Sequence, residues 1–170
     1  MQAAKTTVQA FERYWDWTEE ELEAFLKEAG SRTFASPERE KLSRTHRPGC
    51  DEYVYEANGW KYLDSAAWSR DGGGQEIVYF RGQPVWVMNY YGFLADGADR
   101  DLVYGFLKET LRHKHRALRA KNTAEADART GLQYEIEFGR KDIGNFQGIE
   151  RIRKGRRVVY ECYLHGGFVD

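Results

Sequence analysis

The sequence predicts an α+β domain in which antiparallel sheet carries helices, built from two tandem helix-plus-strands repeats related by a pseudo-two-fold. Three observations predict it. An amphipathic helix pattern with its own capping residue occurs twice, around Leu22, Phe25 and Leu26 and again around Leu102, Val103, Phe106, Leu107 and Leu111. After each helix the chain changes to short aromatic and β-branched runs punctuated by glycine turns. The two regions then share words in the same order, which is what duplication of one unit leaves behind.

A short amphipathic helix around Val8, Phe11 and Trp15 is expected in residues 1–17, as an extension ahead of the first repeat. The first repeat takes residues 18–95. It opens on Thr18-Glu19-Glu20-Glu21, a capping box in which the Thr hydroxyl meets the N3 amide, Glu21 reaches back, and acidic side chains face the positive end of the helix dipole. Gly30 suits the position that ends this helix. Residues 31–50 hold Pro37, Pro48 and many charges without a period, and read as loop. Tyr53–Glu56 and Trp60–Leu63 flank Asn58-Gly59, a pair that tolerates the positive φ of a type I′ hairpin turn. Beyond the flexible Asp71-Gly72-Gly73-Gly74, a second hairpin joins Glu76–Phe80 to Val85–Tyr91 around Arg81-Gly82, with Pro84 at a strand start where its missing N–H does no harm.

The second repeat takes residues 96–170, giving one domain over residues 1–170. Asp99 caps its helix, whose second half from Arg112 to Lys121 becomes basic. After a polar stretch at 122–130, strand texture returns in Leu132–Phe138, Glu150–Arg153 and Val158–Leu164. Gly74-Gln75-Glu76-Ile77, a turn at Gly82 and Val85–Tyr90 correspond to Gly148–Ile152, a turn at Gly155 and Val158–Tyr163. Phe25-Leu26-Lys27-Glu28 likewise matches Phe106-Leu107-Lys108-Glu109. One such unit cannot bury its apolar face alone, so two copies share a core and leave a cleft between them.

Composition bounds the function. The 170 residues suffice for one core, 15% are aromatic, and 31% charged residues nearly cancel to a net charge of −1, which excludes a global attraction to nucleic acid or anionic membrane. No secretory signal pattern and no apolar run of membrane-spanning length is present, so a cytoplasmic location is expected. Cys50 and Cys162 have neither disulfide-framework nor zinc spacing. Gly72-Gly73-Gly74 lacks the Lys-Ser/Thr of a phosphate loop, and no motif asks for a cofactor or a metal.

Alternation sorts the strand residues. Val158, Tyr160, Cys162 and Leu164 form a core face, while Val159, Glu161, Tyr163 and His165 form the other and bring it a carboxylate, a phenol and an imidazole. Val85, Val87, Asn89 and Tyr91 stand opposite Trp86, Met88 and Tyr90, a strand apolar on nearly both faces and so expected to be covered on both. Asn89, Tyr90 and Tyr91, with Trp86, supply the matching cleft wall; a buried Asn89 needs a hydrogen bond, as a tether or a ligand contact. Glu76 and Glu150 occupy equivalent repeat positions, where a two-fold could pair their carboxylates for acid–base chemistry, or each could serve its own hairpin. Arg112, Lys114, Arg116 and Arg119, and the hairpin tip at Arg151, Arg153, Lys154, Arg156 and Arg157, are the local basic stretches open to nucleic acid.

Pro84–Gly92, Phe106–Glu109, Phe146–Glu150 and Val159–Gly167 together resemble a bacterial family known as domain of unknown function five-six-eight-zero (DUF5680). The resemblance runs from about Leu22 to Val169. It implies a domain found alone or behind a helix-turn-helix DNA-binding domain, hence a link to regulation in some members, and it implies no established activity. Where such chains tend to carry Arg-Gly-Pro, this one has Arg129-Thr130-Gly131. The expected function is a ligand-binding or interaction domain, for a small molecule or a protein partner, with an aromatic and polar cleft between the repeats. The alternative is a small enzyme using Glu161 and His165, with Glu76 or Glu150, on a polar metabolite; oligomeric state is not legible.

Overall fold

Eight antiparallel strands form one sheet, and two helices lie on one of its faces. The computed structural model describes residues 16–33, 36, 45–114 and 123–169. The expected helix around Val8, Phe11 and Trp15 lies outside these residues, as do Pro37, Arg116, Arg119 and Lys121. Helix α1 (Glu19–Arg32) is followed by β1 (Asp51–Ala57), β2 (Trp60–Trp68), β3 (Gly72–Phe80) and β4 (Gln83–Leu94). Helix α2 (Arg100–Lys114) is followed by β5 (Thr123–Asp127), β6 (Leu132–Asp142), β7 (Asn145–Lys154) and β8 (Arg157–Phe168). The strand order is β1-β2-β3-β4-β8-β7-β6-β5, so two four-stranded meanders meet through their last strands.

The start signals are realised atom by atom. The amide of Glu21 donates to the Thr18 hydroxyl at 3.2 Å while the Thr18 amide donates to the Glu21 carboxylate at 2.8 Å. The amide of Leu102 donates to Asp99 Oδ1 at 3.1 Å and starts α2. Asn58 and Gly59 hold φ of 52° and 82°, and Arg81 and Gly82 hold 49° and 83°, in two-residue turns that fix the registers of β1·β2 and β3·β4. Helix α1 does not end at Gly30, however. It runs to Arg32 and closes when the Thr33 hydroxyl and amide both donate to the Ala29 carbonyl.

Glycines 72–74 are strand, not a flexible loop. A Cβ at Gly72 would lie 2.1 Å from the Ala67 carbonyl oxygen, and one at Gly74 would lie 2.5 Å from both the Ser65 carbonyl oxygen and the Tyr90 hydroxyl. Glycine is what lets β3 pass between β2 and β4 with a phenol laid over its backbone. The polar stretch after α2 also contains strand, the edge strand β5. In β8 the pairing to β7 steps from Tyr160 to Val158, which leaves Val159 as a bulged residue that turns into the core and Val158 half-buried, the reverse of simple alternation.

The core lies between the helices and one sheet face. Phe25 stacks on Tyr55 and Trp60 at 5.8 and 5.5 Å, and Trp17 meets Trp60 and Phe168 edge-on. Tyr104 of α2 meets Trp68 of β2 and Tyr160 of β8, both at 5.8 Å, so this helix spans both meanders. Strand β4 is therefore covered on one side only: Trp86, Met88 and Tyr90 are buried against the helices, while Val87, Asn89 and Phe93 are half-buried and Tyr91 exposed on the other face. Among the described residues no helix is long and apolar enough to cross a membrane.

Two glycines separate close approach from helix propensity. Gly74→Ala is expected to cost about 1–3 kcal/mol by overpacking, whereas Gly30→Ala, where an added Cβ meets nothing within 4 Å, is expected to add about 0.5–1 kcal/mol through helix entropy. Urea unfolding midpoints of the two variants, compared at equal slope, check both signs.

Candidate functional site

Side-chain direction in β3, β4, β7 and β8 divides the expected site residues into two sets. Glu76, Trp86, Tyr90 and Glu150 point to the helix side and are buried there. The Tyr90 hydroxyl donates to Asp64 Oδ1 at 2.7 Å, tying β4 to β2, and the Tyr134 hydroxyl donates to Glu150 Oε2 at 2.8 Å, tying β6 to β7. Tyr160 reaches the other Glu150 oxygen at 3.4 Å. Trp86 Nε1–H donates to the Ile143 carbonyl oxygen at 3.0 Å. Glu76 stands opposite Asp64 on β2 and Met88 on β4. Buried carboxylates of this kind are held by phenols, which supply hydrogen bonds without adding charge.

Asn89, Tyr91, Glu161, Tyr163 and His165 are on the opposite, uncovered face. The sheet lies between them and Glu76 or Glu150, so a glutamate pair with His165 cannot converge on one reacting atom. The register places Asn89 opposite His165, Tyr91 opposite Tyr163 and Phe93 opposite Glu161, in successive pairs across the β4·β8 seam. Tyr91 is 54% exposed and Tyr163 46% exposed, and Phe93 stacks on Tyr163 at 6.3 Å. A groove of about 690 Å³ runs beside Val87, Asn89, Phe146, Gln147, His165 and Phe168. A second, of about 680 Å³, continues past Gln147, Ile149, Tyr163 and His165 toward Glu137.

Charge on this face is compensated strand to strand. Arg151 on β7 donates to Glu161 on β8 at 2.7 Å and to Glu137 on β6 at 3.1 Å, and Arg153 donates to Glu135 at 2.7 Å. The Tyr163 hydroxyl donates to Glu161 at 2.6 Å. That hydrogen bond, and then the Arg151 guanidinium, hold the Glu161 carboxyl below its ordinary value. The same bond raises the Tyr163 phenol. Glu161 is thus an ionised, fully engaged acceptor. Arg157 is also spoken for, donating to the Asp96 carbonyl oxygen. Of the other basic stretch, the backbone of Arg112 to Lys114 closes α2.

A cluster that periodicity does not reveal borders the same face. Glu52 is fully buried on β1 and accepts from the His46 amide at 2.7 Å, the His46 ring at 2.8 Å, the Ser65 hydroxyl at 3.1 Å and the Arg47 amide at 3.2 Å. Burial alone would push this carboxyl up, but the His46, Ser65 and Arg47 donors outweigh it and hold it at about 2. The pinned loop delivers Arg47 to Gln75 on β3, and Gln75 to Asn89 on β4, at 2.5 and 2.9 Å. These partners are 28 and 14 residues apart, so only the folded register joins them. Asn89 is thereby tethered, as a half-buried amide requires. Among the described residues no group of three or more His, Cys, Asp and Glu side chains is placed to hold a metal ion.

The model of one family, Domain of unknown function (DUF5680), matches residues 61–169, from β2 through β8. The chain belongs to this family. The DUF5680 match starts within β2, later than the Leu22 onset suggested by the motifs, and includes both strands of the seam and both faces of the sheet. No curated protein and no solved structure matches the chain.

The Glu52 clamp carries a pH signature. Its folded carboxyl is depressed from 4.5 to about 2, so its stabilisation is complete above the ordinary value and is lost as the pH falls toward 2. Glu52→Gln is expected to cost about 1–3 kcal/mol at neutral pH, because buried donors lose a charged acceptor. Stability measured from pH 6 to pH 2 should fall less steeply in the variant than in the parent chain.

Proposed function

We propose that this DUF5680 domain is a binding module for a small planar, polar molecule seated on the open sheet face at the β4·β8 seam. One observation carries the reading: the register sets exposed Tyr91 opposite exposed Tyr163, and the next pair on that face is Asn89 and His165. Aromatic faces give a ligand ring apolar area at low entropic cost, and the amide and imidazole give direction. The arginine–glutamate pairs of β6, β7 and β8 balance the charge on one side of the seam, which favours a neutral ligand over a phosphate backbone. The acid–base alternative has less support, since Glu161 is committed to Arg151 and Tyr163 and both buried glutamates face away.

The seam also gives the repeat its physical sense, as an approximate two-fold passing between Tyr90 and Leu164. Several registers support that axis. Met88 pairs with Gly166 as Gly92 pairs with Cys162, and Tyr90 pairs with Leu164 at the centre, so the axis matches Val85–Tyr90 to Val159–Leu164, one residue on from the Val158–Tyr163 given by the sequence comparison. Glu76 lies opposite Met88 as Glu150 lies opposite Cys162, and Tyr62 lies opposite Val78 as Tyr134 lies opposite Ile152. The β3·β4 and β7·β8 pairings shift register at Val78/Tyr79 and Ile152/Arg153, the matching places, leaving Val85 and Val159 as the extra residues. A ligand at the seam touches both halves, which suits a sensor more than a catalyst and agrees with the regulatory link that the family resemblance implies.

Thermal unfolding against a panel of nucleobases, nucleosides and aromatic carboxylates tests the reading. A ligand at about 100 times its dissociation constant adds about 2.7 kcal/mol, roughly 5–10 °C for a chain of this size. Tyr163→Ala and His165→Ala are expected to abolish the shift while leaving the ligand-free midpoint within a few degrees, since both side chains are exposed. A panel without any shift, or a shift that survives both substitutions, rejects the seam as the site.

A further inference from the structure

The hydrogen-bond polarity of the seam is set at a distance, and this inference rests on the seam being the ligand site. Arg47 Nη2 donates to Gln75 Oε1, and Gln75 Nε2 donates to Asn89 Oδ1. A guanidinium has donors and no acceptor, so the Gln75 amide must turn its oxygen to Arg47. Its nitrogen is then the atom left for Asn89, and a nitrogen donor must meet the Asn89 oxygen. Neither amide can be flipped without placing two donors or two acceptors face to face. The consequence appears on the other side of Asn89, where it lines the groove with Gln147 and His165: the group it has left to present is Nδ2, a donor that no acceptor among the described residues takes up.

We propose that the seam selects its ligand through a hydrogen-bond acceptor. The ligand class is a planar heterocycle or cyclic amide whose carbonyl oxygen or ring nitrogen takes the Asn89 Nδ2–H while its ring lies toward Tyr163. Arg47 and Gln75 are positioning residues for that polarity. Arg47 in turn is held because its own amide is bound by the buried Glu52 carboxylate. The loop at 45–50 therefore specifies a contact made two strands away, across β3 on β4.

Two bicyclic probes of similar size read the polarity in the full chain: caffeine, which has acceptors and no N–H, and indole, which has one N–H and no nitrogen or oxygen acceptor. Titrations followed by the side-chain NMR signals of Asn89 and Tyr163 should give caffeine an advantage of about threefold to tenfold, the worth of one neutral hydrogen bond. In Gln75→Glu the carboxylate keeps Arg47 but can only accept, so Asn89 turns its nitrogen to β3 and its oxygen to the groove. The ranking is then expected to invert, and Asn89→Asp is expected to invert it with the relay intact. Inversion in both variants, each unfolding within a few degrees of the parent, supports the relay. An unchanged ranking in Gln75→Glu, with both probes still bound at the seam, overturns the relay but not the binding site. If neither probe moves the seam signals in the parent chain, the binding reading falls and this inference with it.

Discussion

The antiparallel pairing of β4 with β8 is the contact on which the rest of the molecule depends. Each meander alone is a four-stranded ribbon with one apolar face and two open edges, a condition that leaves backbone donors and acceptors unsatisfied in a row. Joining the last strand of each meander removes two of those edges and makes one continuous floor for both helices. Tyr104 shows the dependence directly, since the same ring packs on Trp68 of the first meander and Tyr160 of the second. The glycines at 92, 166 and 167 keep side chains out of this junction, where a Cβ would run into the Tyr160 ring or neighbouring backbone.

The two faces of the floor solve different problems. On the helix side, acids are retained inside a packed core and satisfied by phenols: Asp64 by Tyr90, Glu150 by Tyr134 and Tyr160. A lost phenol would leave a carboxylate with fewer donors in a site that water does not reach, so these tyrosines contribute to specificity of packing as well as to area. On the open side the polar groups are arranged in chains along the strand-to-strand direction, Arg47–Gln75–Asn89 in one half and Glu137–Arg151–Glu161–Tyr163 in the other. Each chain ends at the seam, one in a neutral amide and the other in an aromatic hydroxyl. The seam thus presents an amide and aromatic rings, and the arginines of β7 beside it are paired with glutamates.

How much of this is legible in the sequence differs by residue. The capping box at Thr18, the cap at Asp99 and the turns at Asn58-Gly59 and Arg81-Gly82 are local: the chemistry that makes them lies within three or four residues, and each is where the sequence places it. The outward set Glu161, Tyr163 and His165 was legible for the same reason, as strand alternation is a property of the backbone alone. Val159 broke the pattern because a bulge depends on the partner strand, which the sequence of β8 does not contain. The glycines at 72–74 looked flexible because glycine has one sequence signature for two opposite uses, freedom in a loop and close approach in a sheet.

The sequence by itself therefore determined the α+β class, the helix starts, the turns and the separation of each strand into two faces, because all of these follow from short-range stereochemistry and a period of two. Only the tertiary structure decided which face the helices cover, and so sent Glu76 and Glu150 into the core and left Tyr91, Tyr163, Asn89 and His165 outside. It alone joined Glu52, Arg47, Gln75 and Asn89, whose positions along the chain have no common period. Covering one face of a sheet is a matter of where two helices dock, a long-range choice made by summed apolar area, and no single segment carries it.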